Sequence, residues 1–124
     1  MTDRAAVERW VQGYVLAWDS NDPADVRALF TPDATYRFHP WDDAIEGHDA
    51  ITAAWLDGRD EAGDHTFDWE VLTVDGDTAV VQGRTDYREG RRYENLWVLR
   101  LAGDGRAHAF TEWFMEPPRA DDRP

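Results

Sequence analysis

Glu112 is the residue of this sequence best placed to do chemistry. It lies between Thr111 and Trp113 in an apolar stretch. A glutamate drawn out of water there would hold its proton to higher pH and could serve as acid or base. It could instead form a structural bridge with Arg84 or Arg100, or face solvent. His39 sits at the end of a short apolar run, beside Pro40 and Trp41, and an unperturbed histidine titrates near neutral pH. Its plainer reading is a surface loop residue. Tyr14 belongs first to a helix core, with its hydroxyl as a polar handle. Asp86 and Asn95 are polar residues within strand-like runs, and either could simply meet water.

The rest of the inventory narrows the chemistry further. There is no Cys and no Lys, and Ser20 is the only serine. Thiolate nucleophiles, Schiff bases and the phosphate-binding lysine loop are therefore excluded. Ser20 beside Asn21 reads as a helix end rather than a nucleophile. His39, His48, His65 and His108 share no helix face at metal-ligand spacing, so no metal is expected. Tyr, His, Arg, Asp and Glu remain, a set suited to cofactor-free acid–base work on a small molecule.

Those side chains need elements to hold them. Val7, Trp10, Val11, Tyr14, Val15 and Trp18 recur at steps of three and four, the stripe of an amphipathic helix capped by Thr2 or Asp3. Asp22-Pro23 opens a second helix, with Asp at the cap and Pro at the first position, and Thr31-Pro32-Asp33 breaks it. A short strand is predicted over 34–39, a loop over 41–47 and a third helix over 48–56. Strands follow over 67–74, 78–87, 93–101 and 107–115, with Asp75-Gly76 a strong hairpin signal. Helices followed by an antiparallel meander make an α+β domain. One domain is expected over 1–116 and a loose tail over 117–124.

Composition bounds the partners. The chain has 124 residues and a formal charge of −13, and all its basic residues are arginine. Such acidity argues against nucleic acid and anionic membrane surfaces. Met1-Thr2-Asp3-Arg4 leads straight into the helical pattern with no apolar signal region, so a cytoplasmic location is the default expectation. Asp42, Asp43 and Glu46 form one acidic loop; Asp57, Asp60, Glu61 and Asp64 form another. Both read as solvated connections without calcium-loop spacing.

The residues Val11-Gln12-Gly13-Tyr14-Val15-Leu16-Ala17-Trp18, Asn21-Asp22 and Ala28-Leu29-Phe30-Thr31-Pro32-Asp33-Ala34-Thr35 resemble the opening of the nuclear transport factor 2-like superfamily. Gly47 followed by Ala50-Ile51 is similar to that family's entry to its third helix. The resemblance is strongest to the SnoaL-like group, which also resembles the ketosteroid isomerases. It implies three N-terminal helices on a strongly curved antiparallel sheet, cone-shaped with a central pocket. Members include isomerases, cyclases, epoxide hydrolases and dehydratases, and others only bind ligands or assemble proteins, so the fold does not settle the function.

Carried over residue by residue, the resemblance places Tyr14 where the ketosteroid isomerases keep a hydrogen-bond-donating tyrosine. Phe38 stands in place of their aspartate base, and Trp97 in place of their second aspartate, so ketosteroid isomerisation is not expected. The same alignment turns Gln82, Arg84 and Asp86, then Asn95 and Trp97, then His108, Phe110 and Glu112 inward. The apolar alternation of Ala79, Val81 and Tyr87 favours the opposite facing for 78–87.

The expected site thus has Glu112, His39 and Tyr14 as catalytic candidates, with Tyr14 and Asn95 steadying an oxyanion. Trp18, Phe38, Trp41, Trp55, Arg84, Asp86, Asn95, Trp97 and Phe110 would contact a small apolar or aromatic molecule. The large side chains on both faces of the last strands call for cover on the outer face, for which a homodimer is the simplest arrangement. The rival class is a non-catalytic ligand-binding or assembly domain.

Overall fold

The computed structural model describes residues 2–118; of the tail expected over 117–124, residues 119–124 lie outside the described residues. Helix α1 (Arg4–Ser20) starts where the Asp3 carboxylate accepts the Ala6 N–H at 2.8 Å. It ends at Asn21, whose left-handed backbone (φ 54°) lets its N–H reach the Ala17 carbonyl. Its stripe buries Val7, Trp10, Val11, Tyr14 and Ala17. Asp22 caps α2 (Pro23–Arg27) through the Ala24 N–H, with Pro23 in the first turn.

Strand β1 (Phe30–Arg37) begins four residues before the expected 34, because Phe30 already pairs with Ala107. The register breaks between Phe30 and Thr35, the interval that holds Pro32, which has no N–H to give a ladder. The region expected to be loop contains a two-residue strand, β2 (Ile45–Glu46), paired to β1. Helix α3 (His48–Asp57) leads into the meander of β3 (His65–Asp75), β4 (Thr78–Tyr87), β5 (Arg92–Leu101) and β6 (Ala107–Met115).

The six strands form one sheet in the order β2-β1-β6-β5-β4-β3. All pairings are antiparallel except β1 with β6, a parallel pair that the reading of a simple meander missed. The helices pack on one face of this curved sheet. The core between them includes Trp10, Tyr14, Phe30, Tyr36, Ile51, Trp97, Leu99 and Phe110.

Two irregularities decide which side chains face that core. Leu72 is the extra residue between the Val71–Val81 and Thr73–Val80 pairs, and it is exposed. His108 is the extra residue between the Leu101–Ala107 and Arg100–Ala109 pairs. Among the described residues no helix is long and apolar enough to cross a membrane.

Candidate functional site

Glu112 faces the helices from β6, directly opposite Trp97 of β5. Asn95 lies two residues away on the same face of β5. Both donate to one carboxylate oxygen: the Asn95 amide at 2.8 Å and the Trp97 indole N–H at 2.8 Å, each to Oε2. Asn95 is itself oriented, since its carbonyl accepts the Thr85 hydroxyl at 2.9 Å.

Burial is the largest influence on Glu112 and pushes its pKa above the ordinary carboxylate value. The bonds from Trp97 and Asn95 and the nearby His39 pull the other way without cancelling it. Among the described residues no arginine lies within ion-pair distance of Glu112: Arg84 meets Glu94 at 3.4 Å instead. A carboxyl in this state keeps its proton to higher pH than an exposed glutamate does.

Two tyrosine hydroxyls lie near it. Tyr14 from α1 and Tyr36 from β1 are both buried, with their hydroxyl oxygens 3.1 Å apart. Burial raises the pKa of each, and the charge of Glu112 adds to both shifts, so both stay protonated donors. The Phe110 ring stacks against both, at centroid distances of 5.6 and 4.6 Å, and Tyr14 also packs on Trp97 at 4.3 Å.

A second polar cluster closes the space from the loop after α3. Asp60 accepts the Trp18 indole N–H and the Tyr87 hydroxyl, both at 2.9 Å and both on Oδ2. Its backbone carbonyl accepts the Asn21 amide at 2.7 Å. The Gly63 N–H donates to Asp19, and the Arg88 N–H to the Asp64 carbonyl. Trp18 stacks on His65 at 3.9 Å. Burial lowers the pKa of His65, opposed by Asp60, Asp19 and Asp64.

Between these clusters lies a cavity of about 160 Å³, lined by Tyr14, Trp18, Tyr36, Phe38, Trp55, Gly58, Arg59, Asp60, Tyr87 and Glu112. A larger groove of about 450 Å³ runs between the helices and the β5–β6 turn, but none of these polar groups line it.

Of the residues singled out from sequence, Glu112, Tyr14, Trp18, Phe38 and Trp55 line this cavity. Trp97 and Phe110 are buried behind it. Asn95 gives an amide N–H to Glu112 and is not among the residues lining the cavity. His39 stands outside the lining, bonded to Asp42 at 2.8 Å and stacked on Trp41. Trp41 is 78% exposed on a turn after Pro40, outside the cavity lining.

Arg84 and Asp86 point away from the helices, in ion pairs with Glu94 and Arg92. Ala79, Val81, Gly83 and Thr85 take the inner face of β4; the apolar alternation prevails because turning Arg84 and Asp86 inward would bury charge. His108, in its bulge, reaches Asp77 rather than the core. The sequence reading passed over Tyr36, Tyr87, Arg59 and Asp60. Tyr36 was legible in the Ala34-Tyr36-Phe38 alternation, whereas Asp60 looked like one acid among several in a loop.

The family model described as SnoaL-like domain matches residues 7–118. No curated protein matches the chain. Among solved structures it resembles an NTF-2 like protein of unknown function from Burkholderia xenovorans LB400, at TM-score 0.73 and 15% identity, over 94% of this chain and 88% of that one. It also resembles a ketosteroid isomerase-like protein from Erwinia carotovora atroseptica SCRI1043, at TM-score 0.66 and 21% identity, over 92% and 97%. A third is SalBIII, an epoxide hydrolase/cyclase-like enzyme of pyran ring formation in the polyether salinomycin, at TM-score 0.71 and 16% identity, over 98% and 97%. At these identities the likeness is one of fold.

Proposed function

The chain belongs to the SnoaL-like domain family, and from that premise we propose that it takes a compact, mostly apolar molecule into the Glu112 cavity and transfers a proton to it without a cofactor. The observation that carries this reading is the state of Glu112: desolvated, without an ion-pair partner among the described residues, and held by two N–H donors beside two buried tyrosine hydroxyls. A carboxylic acid in that setting can protonate a carbonyl, hydroxyl or epoxide oxygen. Tyr14 and Tyr36 then supply hydrogen bonds to the charge that develops. Isomerisation, dehydration, cyclisation and epoxide hydrolysis all use such a step, and the epoxide hydrolase/cyclase-like neighbour has the same fold. An apolar cavity of about 150 Å³ holds one benzene molecule, so a cavity of about 160 Å³ suits a ligand with one ring.

The test uses cyclohexene oxide as a single-ring probe. Calorimetry measures its binding, and gas chromatography measures diol formation, in the wild type and Glu112→Gln. The proposal expects binding in both and turnover only in the wild type, with a loss of about 100-fold or more on substitution. Binding with no turnover in either protein favours the non-catalytic ligand-binding class. Absence of binding overturns the cavity reading.

The same reading includes a homodimer through the outer sheet face. Support comes from the exposed Leu72, Trp113 and Met115 and from the apolar groove that Leu96, Val98, Trp113 and Met115 line. Sedimentation of wild type and Trp113→Glu checks it: a dimer that becomes monomeric agrees, and a wild-type monomer does not.

A further inference from the structure

Glu112 and Asp60 are held in the same way. Each receives an indole N–H and a second donor on one carboxylate oxygen: Trp97 and Asn95 on Glu112 Oε2, Trp18 and Tyr87 on Asp60 Oδ2. In each, the other oxygen makes no hydrogen bond among the described residues. Neither of these oxygens is sealed in, since the buried side-chain polar atoms lacking a partner among the described residues are Asn21 Oδ1 and His65 Nδ1. Both residues line the one cavity, and the remaining lining is largely aromatic. Arg59 also reaches that lining, but its guanidinium donates to the Leu56 carbonyl and has no carboxylate within ion-pair distance among the described residues. The second oxygen of Asp60 is therefore an acceptor without a protein donor among the described residues. A ligand hydroxyl that reaches this oxygen gains a hydrogen bond to a charged group, stronger than one between neutral partners.

We propose that Asp60 is a second ligand-facing carboxylate, which selects molecules carrying a hydroxyl at the end remote from the oxygen that meets Glu112 and the tyrosines. This rests on the reading of the cavity as a ligand site and adds the substrate class: a single ring with an oxygen acceptor at one end and a hydroxyl donor at the other. Asp60 acts here as a specificity-determining residue. Its hydrogen bonds to Trp18 and Tyr87 fix the carboxylate so that the outer oxygen is presented without rotation.

The experiment compares acetophenone with 4-hydroxyacetophenone, which differ by that one hydroxyl, by calorimetry on four proteins. Wild type should bind the hydroxylated probe at least about tenfold more tightly, the scale of a hydrogen bond to a charged group. Asp60→Asn keeps an acceptor oxygen for Trp18 and Tyr87 but turns an amide N–H₂ to the cavity. It should lose the preference while binding acetophenone as the wild type does. Asn21→Gly releases the loop carbonyl without touching the carboxylate, and glycine accepts the left-handed backbone there; it should keep the preference. Glu112→Gln should weaken both probes. Preference retained in Asp60→Asn, absent in wild type, or lost equally in Asn21→Gly overturns the role of Asp60. In those cases weaker binding by Glu112→Gln leaves the cavity reading standing. Failure of both probes to bind the wild type overturns both.

Discussion

The two ends of the cavity use the same device in different settings. At the Glu112 end the carboxylate and its hydrogen-bond network sit on strands: Glu112 on β6, Trp97 and Asn95 on β5, Thr85 on β4. Strand pairing fixes the spacing of these groups, and the surrounding aromatic core removes water. At the Asp60 end the carboxylate sits on a loop, and its partners come from the end of α1, the residue after it and the end of β4. An indole N–H and one further donor therefore hold a desolvated acid at one end and a half-exposed acceptor at the other. Rigidity and burial, rather than the list of hydrogen bonds, set what each carboxylate can do.

Removing the indole donor from each end should separate them most clearly. Trp97 is 1% exposed, so Trp97→Phe loses core volume and leaves Glu112 one donor short. Denaturant unfolding should show a loss of roughly 2–4 kcal/mol. Trp18→Phe removes the corresponding bond in a partly exposed place and should cost about 1 kcal/mol. Equal costs would break the comparison.

Glycine substitutions sharpen it at the next level. A methyl group at Gly83, paired across the sheet with Asn95, would come within 2.3 Å of the Phe67 ring, which stacks on Trp97. Gly83→Ala should destabilise by roughly 1–3 kcal/mol. Gly58, at the Asp60 end, has open space around its Cβ direction and φ of −108°. Gly58→Ala should be neutral or stabilising by up to about 1 kcal/mol.

A smaller effect has opposite sign at the two ends. Burial raises the pKa of Glu112 above its unfolded value. Its contribution is therefore fully present below the unfolded pKa and is lost as pH rises through the folded one. Burial lowers the pKa of His65, so the folded state loses stability as pH falls below the unfolded histidine value. In melts from acid to neutral pH, Glu112→Gln should gain on the wild type as pH rises. His65→Gln should gain on it as pH falls. Parallel trends in the two variants would contradict the assignment.

The sequence made the Glu112 end legible and left the Asp60 end hidden. The family alignment placed Asn95, Trp97, Phe110 and Glu112 on one face of β5 and β6, and helical spacing placed Tyr14 and Trp18. Alternation also carried the correct facing of β4, against the alignment that had turned Arg84 and Asp86 inward. The bulge at His108 and the parallel pairing of β1 with β6 depend on contacts distant in sequence, which no local pattern reports. Asp60 was indistinguishable from Asp57, Glu61 and Asp64 because a loop has no period, and only the folded positions of Trp18, Asn21 and Tyr87 single it out.

The central claim is that Glu112 remains a neutral acid where ordinary glutamates are ionised. The direct measurement is a carbon-13 NMR titration of the glutamate side-chain carboxyls, with Glu112 assigned by its absence from Glu112→Gln. The account predicts a Glu112 midpoint above those of the solvent-exposed glutamates in the same spectra. A midpoint at or below theirs would contradict it.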